Sequence, residues 1–176
     1  MASTVSIRSA TPDDAASIAM VHVRSWQVAY RGQLPDELLD NLSAERRTQW
    51  WAEGFWSTDV AHRRLLVAEA DGSILGFVVV GQSEDESATD ATGELYAIYA
   101  DPDVWGQGIG RLLMERAVDE LRSAGFAEAT LWVLSTNERA RRFYEITGWQ
   151  TDSARRTERL REGDVDAVEV RYRRDL

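Results

Sequence analysis

The stretch from Glu94 to Leu121 constrains the fold more than any other. It opens with a β-rich run, Glu94 to Ala100, that ends at Asp101-Pro102-Asp103. Gly106, Gly108 and Gly110 follow. From there apolar residues recur at Ile109, Leu112, Leu113, Ala117 and Leu121, the spacing of one helix face. Ala124-Gly125 closes that helix as a glycine stop. A strand that turns through glycines into an amphipathic helix predicts a sheet with a helix laid against it.

The same alternation runs along the chain. Val5 to Thr11 reads as a strand. Thr11 is placed to cap a helix, with Pro12 at its first position and Asp13 and Asp14 at its positive end. Ile18, Val21, Trp26 and Tyr30 follow at helical spacing until Arg31-Gly32 breaks the pattern. Pro35 begins a short helix, and Ser43 to Trp56 predicts another. Arg63 to Ala70 and Ser73 to Gln82 are β-rich runs joined by Asp71-Gly72, a hairpin signal. Ser83 to Gly93 is acidic, small and polar, the composition of a mobile loop. Glu128 to Leu134 is a strand, and Asn137 to Trp149 a helix ending at Gly148. The tail predicts two strands around the turn Arg161 to Asp164. Together these elements predict an α/β chain with one mixed, mostly antiparallel sheet of about seven strands flanked by about four helices. Residues 1–176 read as a single domain, with no repeat and no linker.

Composition removes several function classes. There is no cysteine, hence no disulfide, thiolate metal site or cysteine nucleophile. No apolar run approaches the length of a membrane span, and the N-terminus lacks the basic start and apolar stretch of a signal peptide, so a cytoplasmic protein is expected. A net charge of −10 speaks against a nucleic-acid partner. All 20 basic residues are arginine, so any site that requires lysine is absent.

That last point bears on the glycines. A Gly-Lys-Ser/Thr phosphate loop is ruled out. A Gly-x-Gly-x-x-Gly dinucleotide fingerprint would place its third glycine at Arg111 and belongs near the first strand. What is left is a helix start with unpaired N–H groups and positive potential, which suits a pyrophosphate, or a glycine turn that holds nothing. Asn137 to Trp149 carries Ala140, Phe143, Tyr144 and Thr147 on one face, and by itself is an amphipathic helix with an Asn cap.

Taken together, the two stretches resemble the GNAT superfamily of acetyl-CoA-dependent N-acetyltransferases. Trp105-Gly106-Gln107-Gly108-Ile109-Gly110 matches the family's [Gln/Arg]-x-x-Gly-x-[Gly/Ala] turn at its glycines, with Trp105 standing where the family usually has Gln or Arg. The later pattern, Asn-x-x-Ala-x-x-Phe-Tyr-x-x-x-Gly-[Phe/Trp], is met at Asn137, Ala140, Phe143, Tyr144, Gly148 and Trp149. The order of elements is also similar over nearly the whole chain. The resemblance implies the acyl-CoA N-acyltransferase fold, with central strands splayed to hold CoA. It implies that the backbone of Ile98, Tyr99 and Ala100 pairs with the pantetheine arm. Gly106, Gln107, Gly108, Ile109, Gly110 and Arg111 would hold the pyrophosphate, Asn137 would bond the cofactor arm, and Tyr144 would lie near the thioester sulfur.

The chemistry can be argued from the reaction. Acetyl-CoA is an activated donor, so direct attack in a ternary complex needs no protein nucleophile. An amine with pKa about 10 is mostly protonated at neutral pH and needs a general base. Glu94, at the head of its strand, is the candidate base; a solvated strand-end carboxylate is the plainer alternative. His22 ranks behind it, since a lone histidine on a mixed helix face is more often structural. Tyr144 is the candidate acid for the departing thiolate, and packing against the cofactor is its plainer role. His62 reads as an exposed loop residue, and two distant histidines without cysteine do not make a metal site.

Trp26 and Tyr30, four apart on the first helix, are the candidate acceptor contacts, beside Trp50, Trp51 and Trp56, which default mostly to core or interface. With Glu94 nearby they suit a cationic amine. The family branch that modifies protein N-termini commonly carries a glutamate on the strand before the Asn motif. Leu131-Trp132-Val133-Leu134 has none. The expected acceptor is therefore a small-molecule or amino-sugar-like primary amine, with a protein or peptide amine as the alternative. A catalytically silent acetyl-CoA sensor is the competing function, and a homodimer through the tail strands stays open.

Overall fold

The computed structural model describes residues 4–57, 60–160 and 165–176. The strands are β1 (Ser6–Ser9), β2 (Arg64–Ala70), β3 (Ser73–Gln82), β4 (Thr92–Ala100), β5 (Glu128–Leu134), β6 (Gln150–Leu160) and β7 (Val165–Asp175). The helices are α1 (Ala15–Ala29), α2 (Asp36–Asp40), α3 (Ala44–Gln49), α4 (Ile109–Ser123) and α5 (Glu138–Ile146). One seven-stranded sheet runs β1-β2-β3-β4-β5-β7-β6. Only β4 and β5 pair in parallel. The turn expected at Arg161 to Asp164 lies outside the described residues.

β2 and β3 read as continuous apolar runs because both of their faces are covered. Leu66, Val78, Val80 and Leu95 pack with Leu113, Met114, Ala117 and Leu121 of α4. Leu65, Val67, Phe77 and Val79 point the other way, onto Ile18, Ala19, Trp51 and Phe55. Period-two alternation in a strand sends successive side chains to opposite layers. A third cluster joins Leu34, Leu38 and Leu39 to Leu134 and Ala167, with Trp26, Tyr30 and Leu160 against it.

Two expectations shift. The helix expected from Ser43 to Trp56 divides. Ser43 caps α3 by accepting from the Arg46 N–H at 3.2 Å, but Trp50–Gly54 winds wider, as a π-helical turn. The Trp50 indole lies over Gly54, where a side chain would collide with it. The loop expected to be mobile after β3 is tethered instead. Ser83 is buried and its N–H reaches Thr92 O at 2.9 Å. The Trp132 indole N–H donates to Asp85 at 2.8 Å, and Arg171 binds both Asp85 and Ser87.

The feature that makes a site is the short pairing of β4 with β5. It covers Thr92↔Glu128, Gly93↔Ala129 and Glu94↔Thr130 and then ends. Opposite, the β3–β4 register shifts so that Val80 faces Leu95 and Val79 faces Ala97, leaving Tyr96 as an extra residue. Such a bulge bends a strand, and from here β4 diverges from β5. Among the described residues no helix is long and apolar enough to cross a membrane.

Candidate active site

A cavity of about 430 Å³ lies in the opening between the diverging strands. Leu95 to Ala100 of β4 and Trp132 to Leu134 of β5 form its sides, and Ser25, Trp26 and Ala29 of α1 wall it with Tyr30, the residue that caps α1. Past Glu94, β4 keeps β3 on one edge while the edge toward β5 loses its ladder. That edge offers backbone groups to an extended ligand.

At one end stand Gly106, Gly108, Ile109, Gly110 and Arg111. Gly106 and Gly108 are left-handed, at φ 78° and 88°, and nothing lies within 4 Å of where their Cβ atoms would be. Glycine is the residue that takes this conformation without strain. It also leaves the start of α4 open to an approaching anion. Trp105 anchors the loop: its indole N–H donates to Ala100 O, the last carbonyl of β4, at 2.8 Å. The guanidinium of Arg139, on the first turn of α5, lies 3.6 Å from the centre of the Trp105 ring. Both side chains line the cavity. The exposed side chain of Arg111 pairs with Glu115 at 2.9 Å. Gln107 is exposed, and its side-chain amide donates to Asp103 O at 3.1 Å; it is the one loop residue expected at the site that does not line the cavity.

Asn137 is buried and spends its Oδ1 on capping α5, accepting from the Ala140 N–H at 3.1 Å. Its amide NH₂ is the group left for a ligand. Tyr144 is 8% exposed and lines the cavity with Tyr30 and Tyr99. Burial first, then the proximity of Tyr99 and Glu169, pushes its phenol above the usual value, so it holds its proton at neutral pH. Burial likewise raises Tyr30 and Tyr99. Trp26 and Tyr30 meet edge-on with ring centres 5.0 Å apart, both on the cavity wall.

Glu94, expected at the site, is not on the cavity lining, although Leu95 next to it is. Glu94 is 6% exposed, and the Ser83 hydroxyl donates to its Oε2 at 2.9 Å. Burial pushes its carboxyl up to about 7, against the Ser83 hydrogen bond, which lowers it. His22 is sealed in the aromatic core. It stacks on Tyr99 at 5.2 Å, neither ring nitrogen has a hydrogen-bond partner, and burial pushes it down to about 3, so it is neutral at neutral pH. His62 is exposed, as expected, with its ring edge-on to Phe126. Among the described residues no group of three or more His, Asp or Glu side chains is placed to hold a metal ion.

Sequence reasoning missed several cavity residues, among them Arg139, Trp132 and Glu169. Arg139 is one arginine among 20, and only the fold brings it over Trp105. Trp132 stands at a strand position whose sequence signal is only the absence of an acid, yet it lines the cavity. Glu169, on β7, also lines the cavity and is held by Arg156 of β6 at 2.7 Å. Its strand alternates, but its partner depends on the β6–β7 register that sets Arg156 opposite it.

Comparison with known proteins agrees with this geometry. The acetyltransferase (GNAT) family model matches residues 22–149. An uncharacterized N-acetyltransferase of Bacillus subtilis, YuaI, is 33% identical over 136 residues, which is 76% of this chain and 73% of that protein. A mycothiol acetyltransferase of Acidimicrobium ferrooxidans is 32% identical over 76% of this chain but only 40% of its own length, so the chain spans less than half of that relative. The crystal structure of the PaiA N-acetyltransferase from Thermoplasma acidophilum, solved with coenzyme A, superposes with a TM-score of 0.71 at 20% identity, covering 98% of this chain and 99% of that one, and so shares its fold. With the splayed strands, the glycine turn and a family match over most of its length, the chain belongs to the acetyltransferase (GNAT) family.

Proposed function

We propose that the protein is an acetyl-CoA-dependent N-acetyltransferase that acetylates the primary amine of a small molecule by direct attack in a ternary complex. The observation that carries this reading is one cavity lined by an open glycine turn with Arg111 and Arg139, by the carboxylate Glu169, and by a protonated Tyr144. Bound acetyl-CoA supplies an acyl group already activated as a thioester.

The chain's residues then divide the work. The Gly106 to Arg111 segment and the start of α4 hold phosphate charge, with Arg139 beside them. The free edge of β4 at Ile98, Tyr99 and Ala100 aligns the extended arm, and the Asn137 amide bonds it. A strand N–H beside Tyr99, at Ile98 or Ala100 where the register turns the N–H away from β3, donates to the oxygen where negative charge develops. Tyr144 donates its proton to the departing sulfur. Glu94, whose carboxyl burial pushes up to about 7, is matched to neutral pH as the group that takes the amine's proton, through water because it is not on the lining.

The test is release of CoA, read with a thiol reagent, across small amines, aminoglycosides, amino acids and peptides. Saturable release on small amines supports the proposal. Release on peptides alone would move the acceptor to protein amines. Acetyl-CoA binding with no release on any amine would make the chain a sensor.

A further inference from the structure

Three charged side chains line the cavity. Arg111 lies at the glycine turn and Arg139 over Trp105, and Glu169 is the one carboxylate among the described lining residues. Glu169 sits opposite Leu134 in the β5–β7 ladder, and Leu134 clusters with Leu34 and Leu160. Its side chain is 15% exposed. Arg156 takes one of its oxygens, Oε2, through Nε, and its guanidinium also lies 4.4 Å from the centre of the Trp132 ring. The carboxylate is thus fixed in place, with Oε1 the oxygen left to meet a ligand. Around it the wall is Trp26, Tyr30, Leu34 and Leu160. Their side-chain polar atoms are the Tyr30 hydroxyl and the Trp26 indole N–H, with the Tyr99 and Tyr144 phenols on the same lining; the rest of this wall is aromatic and aliphatic carbon. A polyhydroxylated acceptor would lose water from hydroxyls on every face and lay most of them on that carbon surface, which costs binding. An ammonium on an apolar body would pair with the carboxylate and bury the rest against the aromatic wall.

Building on the acetyl-transfer reading, we propose that Glu169 is the acceptor-ammonium site and that the acceptor is a primary amine on an apolar, aromatic-sized body. This narrows the acceptor class and excludes the amino-sugar-like option.

The experiment uses the full chain with 2-phenylethylamine, D-glucosamine and 2-phenylethanol as probes. Turnover of 2-phenylethylamine is expected to exceed that of D-glucosamine by about tenfold or more in kcat/KM. Glu169→Gln, which keeps the side chain's shape, is expected to raise KM for 2-phenylethylamine about tenfold with kcat changed by less than about threefold. Acetyl-CoA affinity by calorimetry stays constant. Inhibition by 2-phenylethanol, which has the body without the charge, is expected to be equal in both proteins. A merely structural Glu169 would change the alcohol's inhibition and the amine's KM together, and that result overturns the proposal. Preference for D-glucosamine also overturns it while leaving acetyl transfer intact. Binding of 2-phenylethylamine to the CoA-loaded protein, lost in Glu169→Gln but without turnover in either, would keep the amine site and retire the transfer.

Discussion

Arg139 lays its guanidinium 3.6 Å from the centre of the Trp105 ring, joining the start of α5 to the turn that precedes α4. The indole is fixed from its other side by the hydrogen bond to Ala100 O. Trp105 stands where the resemblance to the family would place Gln or Arg, and Arg139 sets a cation against its ring from a different helix.

That arrangement predicts a coupled loss of cofactor affinity. Trp105→Ala and Arg139→Ala each weaken acetyl-CoA binding about tenfold, the scale of a desolvated cation–π contact plus a lost charge. Because the two side chains touch, the double variant loses less than the sum of the singles. Isothermal titration of the four proteins reads this; strict additivity would mean that each residue acts alone.

Tyr144→Phe keeps the ring and removes the proton. It is expected to lower kcat by about tenfold to a hundredfold with acetyl-CoA affinity nearly unchanged. Steady-state rates beside calorimetry separate the two effects, and an unchanged kcat removes Tyr144 from the mechanism.

Glu94 gives a pH prediction of definite sign. As a base it must be ionised, so the rate rises with pH through about 7, and Glu94→Gln abolishes that limb. In stability the sign is opposite. The folded carboxyl titrates at about 7 and the unfolded one near 4.5, so between these values the folded state holds more protons. Stability contributed by this group therefore falls as pH rises from about 4.5 to 7, by on the order of 3 kcal/mol. Asp85 works in the same direction as burial, while Arg156 and the Ser83 hydroxyl oppose it. Urea melts of wild type and Glu94→Gln across that window check it; parallel curves would mean that Glu94 titrates normally.

Gly93 tests the packing beneath the opening. A Cβ there would stand 2.6 Å from Leu121 Cδ2 and 2.9 Å from Phe126 Cδ2. Gly93→Ala is expected to destabilise the protein by about 1–3 kcal/mol through overpacking, read as a lower urea midpoint at constant m-value.

Much of this was legible in the sequence, for local reasons. β5 has the bounds its β-rich run predicts, and the glycine turn leads into α4 where the helical spacing begins. Asn137 caps its helix as its side-chain chemistry suggests. What escaped was decided at long range. The loop after β3 looked mobile because its residues are small and polar, yet Trp132 and Arg171, far along the chain, hold Asp85. Periodicity gives no sign that β4 and β5 part after Glu94; only the family resemblance implied it. Glu169 reaches the cavity through the pairing of β7 with β5 and β6, which no single segment encodes.

The most direct test of the central claim is mass spectrometry of the product formed from isotopically labelled acetyl-CoA and a primary amine. The account predicts that the label appears on the amine nitrogen with wild-type protein and falls sharply with Tyr144→Phe. Labelled acetyl-CoA that binds tightly yet remains intact beside every amine offered would contradict it.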